Sequence, residues 1–387
     1  MKVFYITGID KSIASQNGIL KKVLGQSNAL LNENNIVYLS FIFKNKIIIK
    51  DIRNNRIVKE QVISGNKLFF RIKMYSFISK WIKLNQVDNV FFRFDGIDPI
   101  VLYYLNYLKK DVNKIVLELP TYPFNLELEG RIKKNIKNRR HVKALASIIY
   151  YILSNFSYKF AHRVIDKIVT YMPYDKIWGI DVLEIDNGID INSIRVKKES
   201  FNEDRPIFIC VANVSKWHGL DRLINGLNNY KKYKRAVPYI WIVGDGSEIP
   251  TLKKLVKDSS LEDNVIFFGN KTGEELDVLI DKADIGIGSL GMHRIGLKQG
   301  STLKVKEYFS RGLPFIYSYD EKLIADDYKY ALKFPQNDNP INIDMCMEFY
   351  YGIKDNSDVT SEMRNFAKKN FDWKVQMKVI FNYFEGD

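Results

Sequence analysis

Residues 289–314 read SLGMHRIGLKQGSTLKVKEYFSRGLP, and their types and spacing suit the binding of an anion. Gly296 and Gly300 leave room for a ligand close to the backbone. Ser301 is a helix-capping residue type, and the run to Arg311 ends on Gly312 with Pro314 just beyond it. In the first turn of such a helix, at Thr302, Leu303 and Lys304, the N–H groups have no intrahelical acceptor. Together with the helix dipole they form a site suited to a diphosphate. Glu307 lies two turns or less inside. Its carboxylate repels phosphate but can accept two hydrogen bonds from ribose hydroxyls; taken alone, a glutamate there more often belongs to a solvated helix face.

A second anion-binding turn is Ser15-Gln16-Asn17-Gly18, between a first strand and a helix. Its amides can face phosphates, although an ordinary β–α turn has the same composition. It is not the dinucleotide fingerprint, because the other glycines are missing. Four histidines are present and none has a diagnostic setting, so no acceptor-side base is named. The chain has no Asp-x-Asp metal motif, and no bound divalent ion is expected.

These segments need a scaffold, and the hydrophobic pattern supplies one. Strands are expected at 3–7, 37–43, 89–94, 115–118, 167–170 and 182–185, with a hairpin at 46–52 and 56–63 and helices between. In the second half, strands at 207–213, 239–244, 265–269, 285–289 and 315–318 each precede a turn or helix. Strand, glycine-rich turn and helix repeating in this way imply an α/β fold with parallel sheets. A chain of 387 residues fits two domains. We expect 1–187 and 188–360, with the boundary in the charged stretch 192–204 and a helical, aromatic-rich segment at 361–387.

Residues 1–187 hold 30 Lys+Arg against 16 Asp+Glu, and residues 188–387 hold 29 of each, so the net charge of +14 belongs to the first half. That asymmetry fits a polyanionic surface met by one domain, or simply solubility. The two cysteines form no disulfide framework or metal-ligand spacing, which suits a reducing compartment. The longest apolar run, residues 144–153, is roughly half a membrane span, and no transmembrane helix is expected. A nucleic-acid partner requires a recognition module or an aromatic-basic strand surface, and neither is found.

Residues 289–314 resemble the paired-glutamate motif of retaining glycosyltransferases of the GT-B fold, in particular glycosyltransferase family 4. In that motif two glutamates eight positions apart flank a glycine-rich turn, and the helix ends in Gly-x-Pro. Glu307 matches the second glutamate and Arg311-Gly312-Leu313-Pro314 the ending, while Gln299 stands at the first position. Residues 182–190 (VLEIDNGID), 211–223 (VANVSKWHGLDRL) and 242–246 (IVGDG) are similar to three further family elements, in the family's order.

The resemblance implies two Rossmann-like domains facing across a cleft, with the C-terminal helix returning to the first. It implies a donor sugar nucleotide, UDP-linked by expectation, held by the second domain, with Gln299 and Glu307 as the catalytic pair. Relatives grip the diphosphate with Arg and Lys where this chain has Asn213 and His218, so Lys216, Lys304 and Arg294 are expected to supply the positive charge. His218 either donates to a phosphate oxygen when protonated or starts a helix stacked on Trp217. The base is expected at the backbone of Asn270 and Lys271, and Gly18, Gly300, Ser301, Thr302 and Leu303 complete the donor contacts.

On the acceptor side, the aromatic loop with Tyr122, and Glu127 beside it, is expected to face a glycan. The basic cluster Arg131, Lys133, Lys134, Lys137, Arg139, Arg140 and Lys143, followed by residues 148–153 and Phe156, suits docking on anionic lipid or a solvated helix start. The expected activity is transfer onto a growing, lipid-linked glycan in polysaccharide assembly, at the cytoplasmic face of the membrane. The departures at Gln299, Asn213 and His218 also fit a catalytically silent assembly subunit, and a nucleotide-sugar epimerase shares the architecture.

Overall fold

The computed structural model describes residues 1–13, 16–65, 67–94, 96–120, 122, 132, 135–136, 138, 140–198, 205–234 and 236–386. They form two compact units: Met1–Gly188 with Trp373–Asp387, and Ile189–Asp372.

In the first unit the described strands are β1 Lys2–Ile6, β2 Ile36–Phe43, β3 Lys46–Asp51, β4 Arg56–Val62, β5 Asn89–Arg93, β6 Lys114–Glu118, β7 Lys167–Thr170, β8 Lys176–Ile177 and β9 Ile180–Glu184. They lie in the order β4-β3-β2-β1-β5-β6-β7-β9-β8. The run from β2 to β9 is parallel, and hairpins add antiparallel strands at both edges. Both faces are covered: along β1, Val3 and Tyr5 enter one core while Phe4 and Ile6 enter the other. The expected hairpin of β3 and β4 has a second turn before it. Lys44 and Asn45, at φ 47° and 60°, join β2 to β3 with the mirror-image turn that suits strand twist.

The second unit has β10 Ile207–Val211, β11 Tyr239–Val243, β12 Val265–Gly269, β13 Ile285–Ile287, β15 Phe315–Tyr317 and β17 Ala331–Lys333. Their order is β12-β11-β10-β13-β15-β17, and every pairing is parallel. Strand addition reverses between β10 and β13, so the loops leaving those two strands open a crevice at the sheet's carboxyl edge. A short pair, β14 Gln299–Gly300 with β16 Asp320–Glu321, lies outside this sheet.

The segment expected to be one helix from 361 is two, Val359–Asn370 and Trp373–Glu385. The break has a cause. Phe371 is fully buried beside Phe309 and Phe366, and its carbonyl accepts from Ile189 N–H at 2.8 Å, so the first helix stops there. The second helix belongs to the first unit, where the Trp373 indole sits against Gly25 and Gly188; a Cβ on either glycine would lie 2.4 Å from the ring.

Candidate functional site

The crevice of the second unit begins with the loop that follows β10. Ala212 N–H donates to the Val243 carbonyl at 3.0 Å, and Val214 N–H to that of Asp245 at 2.6 Å. This contact demands glycine in the IVGDG segment. Gly244 and Gly246 sit at φ 126° and 148°, and a Cβ there would lie 1.9 Å from the Ala212 oxygen and 2.2 Å from that of Val214. Next in line, Gly244 N–H donates to the Gly269 carbonyl at 2.7 Å, bringing the loop of Asn270 and Lys271 alongside. Asn270 is exposed, and Lys271 is engaged by Glu275 at 2.7 Å.

The loops leaving β10 and β13 are tied together. Leu290 and Gly291 N–H donate to the carbonyls of His218 and Trp217 at 3.0 and 3.1 Å. Gly219, at φ 61°, allows this approach, since a Cβ there would lie 2.6 Å from the Leu290 carbonyl carbon. Arg222, buried in the following helix Leu220–Lys231, donates to the carbonyls of Leu290, Pro335 and Asn339 and to Ser318 and Asn337. The resemblance gave it no role. Its partners lie 68 to 117 positions away, so no local pattern could announce it.

Arg294 takes a different place from the one expected. Its guanidinium is held by both oxygens of Asp221 at 2.7 and 2.8 Å, by Asp338 at 2.6 Å and by the Lys216 carbonyl at 3.2 Å. It clamps the two loops together rather than presenting an unpaired charge. Lys216 and Asn213 are exposed on the loop, and the Lys216 and Lys304 ammonium groups form no ion pair among the described residues.

The helix expected from Ser301 spans Leu303–Arg311, and its N-cap is Thr302. Ser301 is displaced because its hydroxyl accepts from the buried Lys306 ammonium at 2.7 Å. The Thr302 hydroxyl is drawn to Tyr319 at 2.7 Å, and Thr302 N–H donates to Glu321 at 3.3 Å. The N–H groups of Leu303, Lys304 and Val305 have no acceptor among the described residues. The helix is seated closely. The Tyr308 hydroxyl donates to the β10 and β13 edges at Ile209 and Ile287, and its ring leaves no room for a Cβ on Gly286.

Lys304 leans toward β10, with its ammonium 3.5 Å from the Cys210 sulfur. His218 is near enough to feel it. Burial first, then the Lys304 charge, push the imidazole pKa down to about 3. The ring is therefore neutral. Nδ1 lies 3.0 Å from the Ser215 N–H and 3.3 Å from the Ser215 carbonyl; when it accepts the shorter of the two, the proton sits on Nε2. Trp217 is tilted 36° from the imidazole at 5.7 Å rather than stacked on it. Glu307 accepts from Arg311 at 3.0 Å, and Arg311 also holds Asp277 on the helix after Lys271.

Gln299 is exposed, and its backbone pairs with Asp320. Of the two glycines expected to make room for a ligand, Gly296 closes a turn at φ 74° with open space around it. Gly300 instead faces the protein: a Cβ there would lie 2.8 Å from the Met292 methyl. In the first unit, Gly18 lies one residue inside the helix Asn17–Ala29 rather than in the loop before it. Tyr122 packs edge-on against Tyr174 at 5.1 Å. Glu127 and the basic residues Arg131, Lys133, Lys134, Lys137 and Arg139 lie outside the described residues, as do residues 199–204 of the expected boundary. Among the described residues no group of three or more His, Cys, Asp or Glu could hold a metal, and no helix is long and apolar enough to cross a membrane.

Residues 192–322 match the family described as glycosyl transferases group 1. An uncharacterized glycosyltransferase, MJ1069, of Methanocaldococcus jannaschii is 25% identical over an alignment 226 residues long that covers 53% of this chain and 53% of that protein. The chain thus matches about half the length of that curated relative. Among solved structures, a glycosyltransferase from Rickettsia africae superposes with a TM-score of 0.63 at 13% identity, covering 100% of this chain and 99% of that one. Anabaena HepE, solved in complex with UDP, gives 0.62 at 13% identity with both chains fully covered. At such identity the structural likeness is one of fold. Residues 192–322 are thus similar to the glycosyl transferases group 1 family, and the chain as a whole shares the fold of these glycosyltransferase structures.

Proposed function

We propose that the protein is a retaining glycosyltransferase that moves a sugar from a nucleoside diphosphate, UDP by preference, onto a lipid-linked glycan in cell-surface polysaccharide assembly. The observation carrying this reading is the set of N–H groups at Leu303, Lys304 and Val305 that have no acceptor among the described residues, beside the Lys304 ammonium, at the sheet's switch point. When the bond from the anomeric carbon to the diphosphate breaks, negative charge grows on the departing oxygen. Preorganised amides and a lysine meet that charge without a metal ion. The neutral His218, in the tautomer whose Nδ1 accepts from Ser215 N–H, contributes an Nε2–H donor, and Lys216 a second cation. Glu307 serves the ribose through the oxygen turned away from Arg311, and Gln299 the donor sugar. Retention follows the paired-residue motif, and UDP is favoured because HepE, of the same fold, was solved with it.

The positive charge of the first half supports an acceptor at the cytoplasmic face of the membrane, against anionic lipid. Gln299 and Asn213 also favour a second reading, a subunit that binds nucleotide without turning it over. A thermal-shift series with UDP tests the site. At about 100 times its Kd the nucleotide adds roughly 2.7 kcal/mol of stability. Glu307→Ala abolishes that gain while the melting temperature without nucleotide stays near wild type; an undiminished gain removes Glu307 from the site. Binding without transfer from any UDP-sugar marks the silent subunit.

A further inference from the structure

The helix His141–Tyr158 in the first unit is turned inside out relative to an ordinary surface helix. Its buried residues are Ala144, Ser154 and Ser157, while its large aliphatic side chains face solvent. Val142 is 84% exposed, Leu145 58%, Ile149 48%, Ile152 60% and Phe156 58%. Steps of three and four residues put all five on one stripe, with Ile148 and Leu153 at its edges, over a helix about 27 Å long. An unpartnered apolar row of this size marks an interaction surface.

Charge identifies what covers it. From residue 140 to residue 165, along the helix and just beyond it, the chain carries four Lys or Arg and no Asp or Glu. The partner must therefore be both apolar and anionic. A second copy of this chain fails the second condition, since it would bring the same positive half. The row also continues through Phe156 into a groove of about 380 Å³ against the helix Pro99–Leu108, where Leu102, Tyr103 and Phe160 form apolar walls and Arg163 supplies a cation. Apolar walls ending at a cation match an acyl chain ending at a phosphate.

We propose that this helix lies in the interface of an anionic phospholipid bilayer, its five-residue stripe entering the acyl boundary while Arg140, Lys143, Lys159 and Arg163 meet headgroup phosphates. The inference deepens the membrane part of the proposed function. It rests on that reading for its purpose, which is to hold the enzyme at a lipid-linked acceptor. The device differs from purely electrostatic docking on a basic cluster, because apolar insertion keeps part of the binding at high salt.

The test is sedimentation of the full chain with vesicles of equal parts phosphatidylglycerol and phosphatidylcholine. Wild type pellets with the vesicles, and raised salt weakens this without abolishing it. The pair Leu145→Gln and Ile152→Gln lowers the bound-to-free ratio about tenfold or more. A second pair, Val142→Ser and Ile149→Ser, gives the same direction. Thermal shift with UDP, unchanged in both pairs, shows the chain still folded. The proposal is overturned if wild type stays in the supernatant, if both pairs pellet like wild type, or if wild type is a dimer that these substitutions dissolve. Vesicle binding without any response to UDP would leave the helix's role intact and remove the transferase reading instead.

Discussion

At the residue scale, the chemistry open to the crevice of the second unit depends on which charges are committed and which are not. Arg294 is locked by Asp221 and Asp338, whereas Lys304 and Lys216 form no ion pair among the described residues and His218 is buried in its neutral form. A histidine whose folded pKa is about 3, against an ordinary 6.5, favours the folded state fully above about pH 6.5. That stabilisation is lost as the pH falls toward 3, because only the unfolded chain accepts the proton. Melting temperatures between about pH 7 and pH 4 should show this decline. His218→Asn, which keeps an acceptor for Ser215 N–H, should flatten it; an equally steep decline would mean the imidazole is not held neutral. The placing of Lys216 in a turn and of Lys304 at a helix start was legible because local spacing defines both. The pairing of Arg294 was not, since its partners lie 73 and 44 positions away. The cap moved from Ser301 to Thr302 for a similar reason: both residues cap well, and distant Tyr319 helped decide between them.

At the scale of elements, the crevice owes its shape to backbone packed on backbone. β10 and β11 end in loops that exchange hydrogen bonds, and two glycines make the approach possible. Gly244→Ala combines a left-handed backbone with a Cβ inside the Ala212 carbonyl, and should cost at least about 2 kcal/mol. Chemical denaturation measures that loss, and UDP affinity should fall with it because the Lys216 loop shifts. Alternating strand and helix patterns made the order of these elements readable from the sequence. The split between Val359–Asn370 and Trp373–Glu385 was not readable, because helical periodicity runs across it and only burial of Phe371 interrupts it.

At the scale of the whole molecule, the chain enters the second unit once, at Ile189, and leaves it at Asp372. That unit is continuous in sequence, while the first is completed by its last fifteen residues. Deleting residues 373–387 removes the Trp373 indole from Gly25 and Gly188, together with the buried Met377, Ile380 and Phe384. Calorimetry of the shortened protein should lose the transition of the first unit and retain a UDP-responsive one. Trp373→Ala alone should destabilise the first unit by about 3–5 kcal/mol. A single, uniformly lowered transition would instead show that the two units unfold as one.

This threading sets an order of birth. As synthesis proceeds from the N-terminus, the polypeptide for nine strands emerges first yet must wait, its slot beneath Gly25 and Gly188 unfilled, while the inserted unit is made and folds. Only when Trp373 has cleared the ribosome does the indole close that slot. A nascent chain released only as far as Asp372 would thus hold the inserted unit complete and its companion unfinished.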